Sequence, residues 1–260
     1  RLLAPPPPRR HGSPSRDPTL TFSGLAAAYR GPRARWALYA SSSRCPAGAV
    51  SCFLGGAGSG KTSLVRALGE RLYDEPGAPL RHVAGAVKMF GLDARAWDRG
   101  CVRNVVGVMA DGGRCDVAWL EGRYVVDGSE VDPAALAAAG ECIGTGPLLR
   151  QIGGKLVTPD MGLPHTDLVK LALTRKVYAL MTGVHQRQSR PRHFANSLFG
   201  ALLVLDAVLD PLPRDDAHAI LANLRRTGAV VLLTTSRDDI AELADTVANV
   251  RDCEVEERDA

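Results

Sequence analysis

Gly55-Gly56-Ala57-Gly58-Ser59-Gly60-Lys61-Thr62 brings four glycines, a lysine and a hydroxyl together in eight residues, in the spacing G-x-x-x-x-G-K-[ST]. Glycines let a backbone curl so that successive N–H groups converge on phosphate oxygens. The lysine adds a point charge for terminal phosphates, and the hydroxyl can sit on a divalent cation. Ser63, the next residue, is taken with this cradle. Ala49 to Leu54 reads as a short buried strand leading in, and Ser63 to Leu68 as a helix leading out. That order sets the positive end of a helix, with its free N–H groups, against the phosphates. The segment is expected to bind a nucleotide, where a plain glycine–serine turn would bind nothing.

The elements that must position this loop are legible in outline. Thr19 to Phe22 and Trp36 to Tyr39 have strand character, as does His82 to Phe90, closed by Gly91. The helix after the loop runs to about Tyr73, and Val105 to Met109 is a further short strand. Asp132-Pro133 predicts a helix start, with Asp at the cap and Pro at the first turn, and Gly140 predicts its stop. Thr166 is the expected cap of a second helix, whose Leu168, Val169, Leu171 and Ala172 fall on one face. Ala201 to Leu205 is an all-apolar strand of the kind buried on both faces. Ala217, Ile220, Leu221 and Leu224 share one helix face, Ala229 to Leu233 is another apolar strand, and Ser236 to Asp239 resembles a capping box. Strands alternating with helices predict an α/β fold with a mostly parallel sheet and helices on both sides.

Composition narrows the classes. The chain has 260 residues, 45% hydrophobic, only 5% aromatic, with a net charge of +4. That suits one large α/β domain or two small ones with an aliphatic core, and a mild positive balance that fits phosphate ligands without demanding nucleic acid. Six cysteines form no C-x-x-C pair, which favours reduced thiols over a disulfide framework or a zinc site. The longest apolar run, Leu198 to Leu205, is too short for a bilayer, and the Pro- and Arg-rich opening is no secretory signal. Residues 1–18 read as a disordered arm, and residues 253–260 as a charged tail. A first residue of arginine, not methionine, is what a fragment or processed product would show.

With these positions in place, the chain over residues 19–252 resembles the nucleotide-binding domain of an ABC transporter. Tyr29 stands where that family places an aromatic that stacks on adenine. Ala84-Gly85-Ala86-Val87 through Phe90-Gly91-Leu92-Asp93 is similar to its S-G-x-V…G-x-D strand pair. Asp206 ends an apolar strand, as the family's Mg²⁺-ordering aspartate does. Leu209-Asp210-Pro211 with Arg214 resembles its D-loop, and Ser236 falls close to its switch histidine. The resemblance implies a P-loop NTPase core with an N-terminal antiparallel β subdomain and a helical subdomain at about residues 111–192. It implies ATP and Mg²⁺ as ligands, with Lys61 on the β/γ-phosphates and Asp206 and Thr62 at the metal. It further implies a transmembrane domain and a second nucleotide-binding domain as partners, on the cytoplasmic side of a membrane, and no nucleic acid.

Departures from the family pattern are concentrated where hydrolysis happens. Asp206-Ala207-Val208-Leu209-Asp210 is shorter than the family's D-E-P-T-S-x-L-D, and Ala207 replaces the glutamate that polarises the attacking water. Ser236 stands for the histidine at the γ-phosphate, though a helix-capping role suits it better. Asp111 stands for the Q-loop glutamine, either as a Mg²⁺ or water ligand or as a solvated loop residue. Leu180-Met181-Thr182-Gly183-Val184 is the remnant of the L-S-G-G-Q signature, unless Gly183 simply ends a helix; Pro191 then interrupts the helix expected to follow. The basic run His185 to His193 reads as a solvated loop more readily than as an RNA or phosphate site, having no aromatic platform. ATP binding with weak hydrolysis, coupled to transport, is the leading expectation. A P-loop kinase with residues 185–193 as its lid, and a non-catalytic nucleotide-dependent regulatory module, are the alternatives.

Overall fold

The computed structural model describes residues 19–29, 36–73, 80–109, 132–152, 162–188, 198–251 and 254–257. Two sheets carry the fold. The first is antiparallel, in the order β2-β1-β4-β5, built from β1 (Thr19–Tyr29), β2 (Trp36–Pro46), β4 (Leu80–Met89) and β5 (Leu92–Asp93). The second runs β10-β9-β3-β8-β7-β6. Its strands are β3 (Val50–Leu54), β6 (Val106–Met109), β7 (Leu202–Asp206), β8 (Val230–Thr235), β9 (Thr246–Arg251) and β10 (Glu254–Glu257). All its pairings are parallel except that of β9 with β10.

The sequence explains why β3, β7 and β8 lie at the centre of that sheet. Every residue of the three is buried, as expected of parallel strands covered on both faces. Each fully buried Leu or Val in them contributes about 1.5–3 kcal/mol relative to exposure. Phe22 of β1 meets Phe53 of β3 with ring centroids 6.0 Å apart, joining the sheets. Helix α1 (Lys61–Tyr73) touches strands of both.

Five further helices of seven or more residues are described: α2 (Arg99–Val105), α3 (Pro133–Ile143), α4 (Gly146–Ile152), α5 (His165–Gln188) and α6 (Arg214–Thr227), followed by the single turn α7 (Asp238–Ala241). The spacing of Ala217, Ile220, Leu221 and Leu224 does define the buried face of α6. Asp132 caps α3 as expected, its carboxylate accepting from the N–H groups of Ala134 and Ala135 at 2.9 and 3.2 Å. Helices α3 and α5 pack on each other and share the main core, while Leu171 of α5 packs with Ile152 of α4 in a small second cluster.

Several boundaries differ from expectation. Strands β1 and β2 run far past Phe22 and Tyr39, because pairing with each other sustains them across the bulge at Gly24. Val105 closes α2 and is not part of a strand. Gly140 does not stop α3; it is buried in the helix, which ends at Gly144 with φ +80°. Thr166 is not the cap of α5, which begins at His165, the N–H groups of Asp167 and Leu168 bonding to Pro164 O. The residues read as a charged tail include β10, which extends the sheet.

Candidate functional site

Parallel register aligns the carboxyl ends of β3, β8 and β7. Leu54 lies opposite Thr235, and Thr234 opposite Asp206. The glycine-rich loop leaves the end of β3, and Gly55 N–H donates to Thr235 O at 3.1 Å, tying the loop to β8. A crevice outside the carboxyl ends of such strands is where open α/β sheets bind ligands.

The loop holds the shape its composition predicts. Gly58 and Gly60 take φ of +78° and +112°, a backbone that residues with a Cβ rarely adopt. Nothing lies within 4 Å of where a Cβ would stand on Gly56 or Gly58, so both glycines face open space. Gly55 packs against Val250 O and Ser59 Oγ, and that hydroxyl is buried without a protein partner. Below the loop α1 begins at Lys61, and its first N–H groups have no intrahelical acceptor. Lys61 Nζ donates to Gly55 O and Gly56 O at 2.5 and 2.7 Å, so the ammonium stays over the loop. Burial pushes the Lys61 pKa down, and the nearby carboxylates of Asp206 and Asp210 work against that shift.

A cleft of about 400 Å³ opens at this loop, lined by Gly58, Ser59, Gly60, Lys61, Thr62 and Ser63 on one side and by Tyr29, Ala37 and Arg66 on the other. Tyr29 and the loop residues are thus brought together. The Tyr29 hydroxyl is 3.1 Å from Ser63 Oγ and accepts from Arg66 at 3.2 Å. The Arg66 guanidinium lies 5.9 Å from the centre of the ring.

Asp206 ends β7, 3% exposed, outside the cleft lining but close enough to Lys61 to act on its charge. Thr234 donates to its Oδ1 at 2.5 Å. Ala207 takes φ +55°, its N–H shared between Thr234 O and Thr234 Oγ1. Asp210 folds back onto the end of β8, where Thr235 donates to its Oδ1 and Ser236 donates to its Oδ2 through both N–H (3.3 Å) and hydroxyl (3.1 Å). Arg237 then donates to Asp210 O and Leu212 O, each at 2.7 Å, and pairs with Asp239.

Two expected features fail here. Ser236 caps no helix: its hydroxyl goes to Asp210, Asp239 goes to Arg237, and the turn that follows has Arg237 at its cap without a side-chain bond. Leu180 to Val184 lies in the middle of α5, where backbone N–H groups are spent on the helix itself. Thr182 bonds back to Tyr178 O and Ala179 O, both at 3.1 Å, and Gly183 is pressed against Asn104. The backbone there has no free N–H group to offer a phosphate. The start of α5 lies instead at His165, after Leu163-Pro164. Asp111 and Pro191 lie outside the described residues, as do Ser189 to His193 of the basic run; residues 185–188 are the end of α5.

The sequence reading passed over Arg66, Thr234, Thr235 and Arg237. Arg66 had a signal, lying one helical turn beyond Thr62 on the same face. Two hydroxyls ending an otherwise apolar strand were the signal for Thr234 and Thr235.

The donor set fits a nucleoside triphosphate with Mg²⁺. A glycine-rich curl of backbone, a helix start and an ammonium line one cleft, and the Thr62 hydroxyl and Asp206 carboxylate are the hard oxygen donors that Mg²⁺ accepts alongside phosphate. Among the described residues no three-membered cluster of His, Cys, Asp and Glu forms a separate metal site.

No protein-family model matches the chain, and no curated protein matches it. Its fold is that of ABC transporter nucleotide-binding cassettes. Over 92% of its length it is similar to MJ0796, a bacterial ABC transporter cassette solved as a dimer, with a TM-score of 0.65, 17% identity and 97% of that chain covered. Over 94% of its length it is similar to a bacterial Atm1-family ABC exporter solved with ATP bound, with a TM-score of 0.62 and 16% identity. The chain spans 39% of the exporter's length.

Proposed function

We propose that this chain is an ATP-binding cassette that holds ATP·Mg²⁺ at the Gly55–Ser63 loop, hydrolyses it slowly, and couples its binding to transport across a membrane. The observation that carries the reading is the convergence of the glycine loop, the Lys61 ammonium and the Asp206 carboxylate at the carboxyl edge of one parallel sheet. The likeness to a dimeric cassette and to an ATP-bound exporter supports a second cassette and a transmembrane domain as partners. No helix among the described residues is long and apolar enough to cross a membrane.

In this reading the loop N–H groups and the start of α1 bind the phosphates, and Lys61 leaves its two carbonyls to meet the terminal ones. Thr62 and Asp206 would hold Mg²⁺, which would supply neutralising charge to the phosphates. Tyr29 supplies a face for the adenine, shared with Arg66. Neither of two positions polarises water: Ala207 has no carboxylate, and the Ser236 hydroxyl is committed to Asp210. Slow hydrolysis follows from those two positions, and closure on a partner from the mid-helix place of Leu180–Val184 is correspondingly weakened. That same pair of observations favours, as the second reading, a cassette whose nucleotide stabilises an assembly without being turned over.

Titration calorimetry with ATP·Mg²⁺ tests the reading. Wild type should bind and Lys61→Ala should not. Folded wild-type protein that fails to bind at millimolar ATP would sink it.

A further inference from the structure

Thr234 is fully buried at the end of β8, directly opposite Asp206 in the parallel register. A hydroxyl has one proton, and a carboxylate can only accept, so the 2.5 Å contact from Thr234 Oγ1 to Asp206 Oδ1 has a fixed direction. The same hydroxyl oxygen accepts the Ala207 N–H at 3.2 Å. One side chain thus grips both the carboxylate that ends β7 and the backbone that turns away from it.

The remaining residues of β8 show that this hydroxyl is not needed for packing. Val230, Val231, Leu232 and Leu233 are apolar and fully buried, and valine has the shape of threonine. The pattern breaks only at Thr234 and Thr235, and each of these donates to a carboxylate of the turn after β7, Asp206 and Asp210 respectively. Asp206 is itself buried, so its charge needs a donor, and a donor on Oδ1 leaves Oδ2 to face a cation.

We propose that Thr234 is a positioning residue for the Mg²⁺ site: it fixes the rotation of the Asp206 carboxylate so that Oδ2 is presented to the metal. The inference rests on the ATP·Mg²⁺ reading above. Partners that orient a metal ligand are typically worth about 10–100-fold in metal affinity.

The test is calorimetric affinity for ATP in Mg²⁺ and in EDTA, for wild type, Thr234→Val and Thr234→Ser, with folding checked by circular dichroism. Wild type should bind ATP more tightly in Mg²⁺. Thr234→Val should lose about 10–100-fold of that Mg²⁺ advantage, with its EDTA affinity unchanged within about twofold, and Thr234→Ser should retain it. If Thr234→Val does not fold, Thr234→Ala is measured in the same way; failure of both to fold would assign Thr234 a structural role and overturn the proposal. Equal weakening in Mg²⁺ and EDTA overturns it, as does a wild-type Mg²⁺ advantage in the valine variant. Wild type that binds ATP without any Mg²⁺ advantage removes this inference and leaves the nucleotide reading standing. Wild type that binds no ATP removes both.

Discussion

The Ser236 hydroxyl donates to the Asp210 carboxylate across 3.1 Å, and the Ser236 N–H reaches the same oxygen at 3.3 Å. Ser236, which the resemblance sets close to a phosphate-contacting histidine, therefore faces its own chain. The short turn Asp206 to Asp210 makes this possible, because it brings Asp210 back over the end of β8 and does not carry it outward. Asp206 and Asp210 are consequently held by neighbouring residues of one strand, Thr234 and Thr235.

Arg237 secures that turn from the far side. It donates to Asp210 O and Leu212 O and forms a paired contact with Asp239, which raises the arginine pKa and lowers that of the aspartate. Arg237→Ala should cost about 1–2 kcal/mol, chiefly by leaving two carbonyls without their donor. Asp239→Ala should cost less, since its pair is open to solvent. Urea midpoints of the two variants give the comparison, and an Asp239→Ala loss equal to or above that of Arg237→Ala would contradict this account.

Gly183 separates a packing role from a phosphate role. A Cβ there would lie 2.5 Å from Asn104 O, backbone of α2 that cannot swing aside. Gly183→Ala should therefore destabilise the fold by about 1–3 kcal/mol, read as a lowered thermal midpoint, with no change in ATP affinity at a temperature where the protein is folded. A variant of unchanged stability but altered nucleotide response would restore Leu180–Val184 as a working signature.

Much of this architecture was legible in the residues, and the misses have physical causes. The loop Gly55–Thr62 was readable because its glycines are required by local backbone geometry, whatever surrounds them. Strands β7 and β8 were readable because burial on both faces leaves only apolar choices. Ser236 was misread because a hydroxyl three residues before a carboxylate suits a capping box locally, while Asp210, distant in sequence, competes for it and wins. Gly183 was misread for a similar reason: glycine signals a turn or a close approach equally well, and only the position of Asn104 decides. The likeness of residues 180–184 to a signature carried no information about where a helix begins, which Pro164 and His165 set instead.

Cys142 is buried in α3, and burial pushes its thiol pKa up to about 12. Thiolate is the reactive form, so Cys142 should resist iodoacetamide at pH 8 in the native protein and react once urea unfolds it. The same shift sets a stability trend. The unfolded thiol ionises near 9.0 and the folded one near 12, so stability from this group is intact below pH 9 and is lost as pH rises across that interval. Peptide mapping of the alkylated protein isolates Cys142 from the other thiols. Fast native labelling at that residue would contradict its burial.

Turnover is the sharpest consequence of the site. Positioned acid–base groups are worth about 10²–10⁴ in rate, and the two positions to which the resemblance assigns them hold Ala207 and a serine committed elsewhere. Phosphate release by wild type should therefore stay close to that of Lys61→Ala, the blank for contaminating activity. Ala207→Glu should recover little. The new side chain would leave a backbone at φ +55° whose N–H is held by Thr234, so its direction is dictated by a left-handed kink that the loop was not built to aim at a nucleotide. Adding Ser236→His removes a donor from Asp210 and frees the turn, so the double variant should exceed either single one if any variant gains activity. Robust Lys61-dependent turnover by wild type would overturn the slow-hydrolysis reading and direct attention to Asp210, the remaining carboxylate that acts on Lys61, with Asp210→Asn as the next measurement.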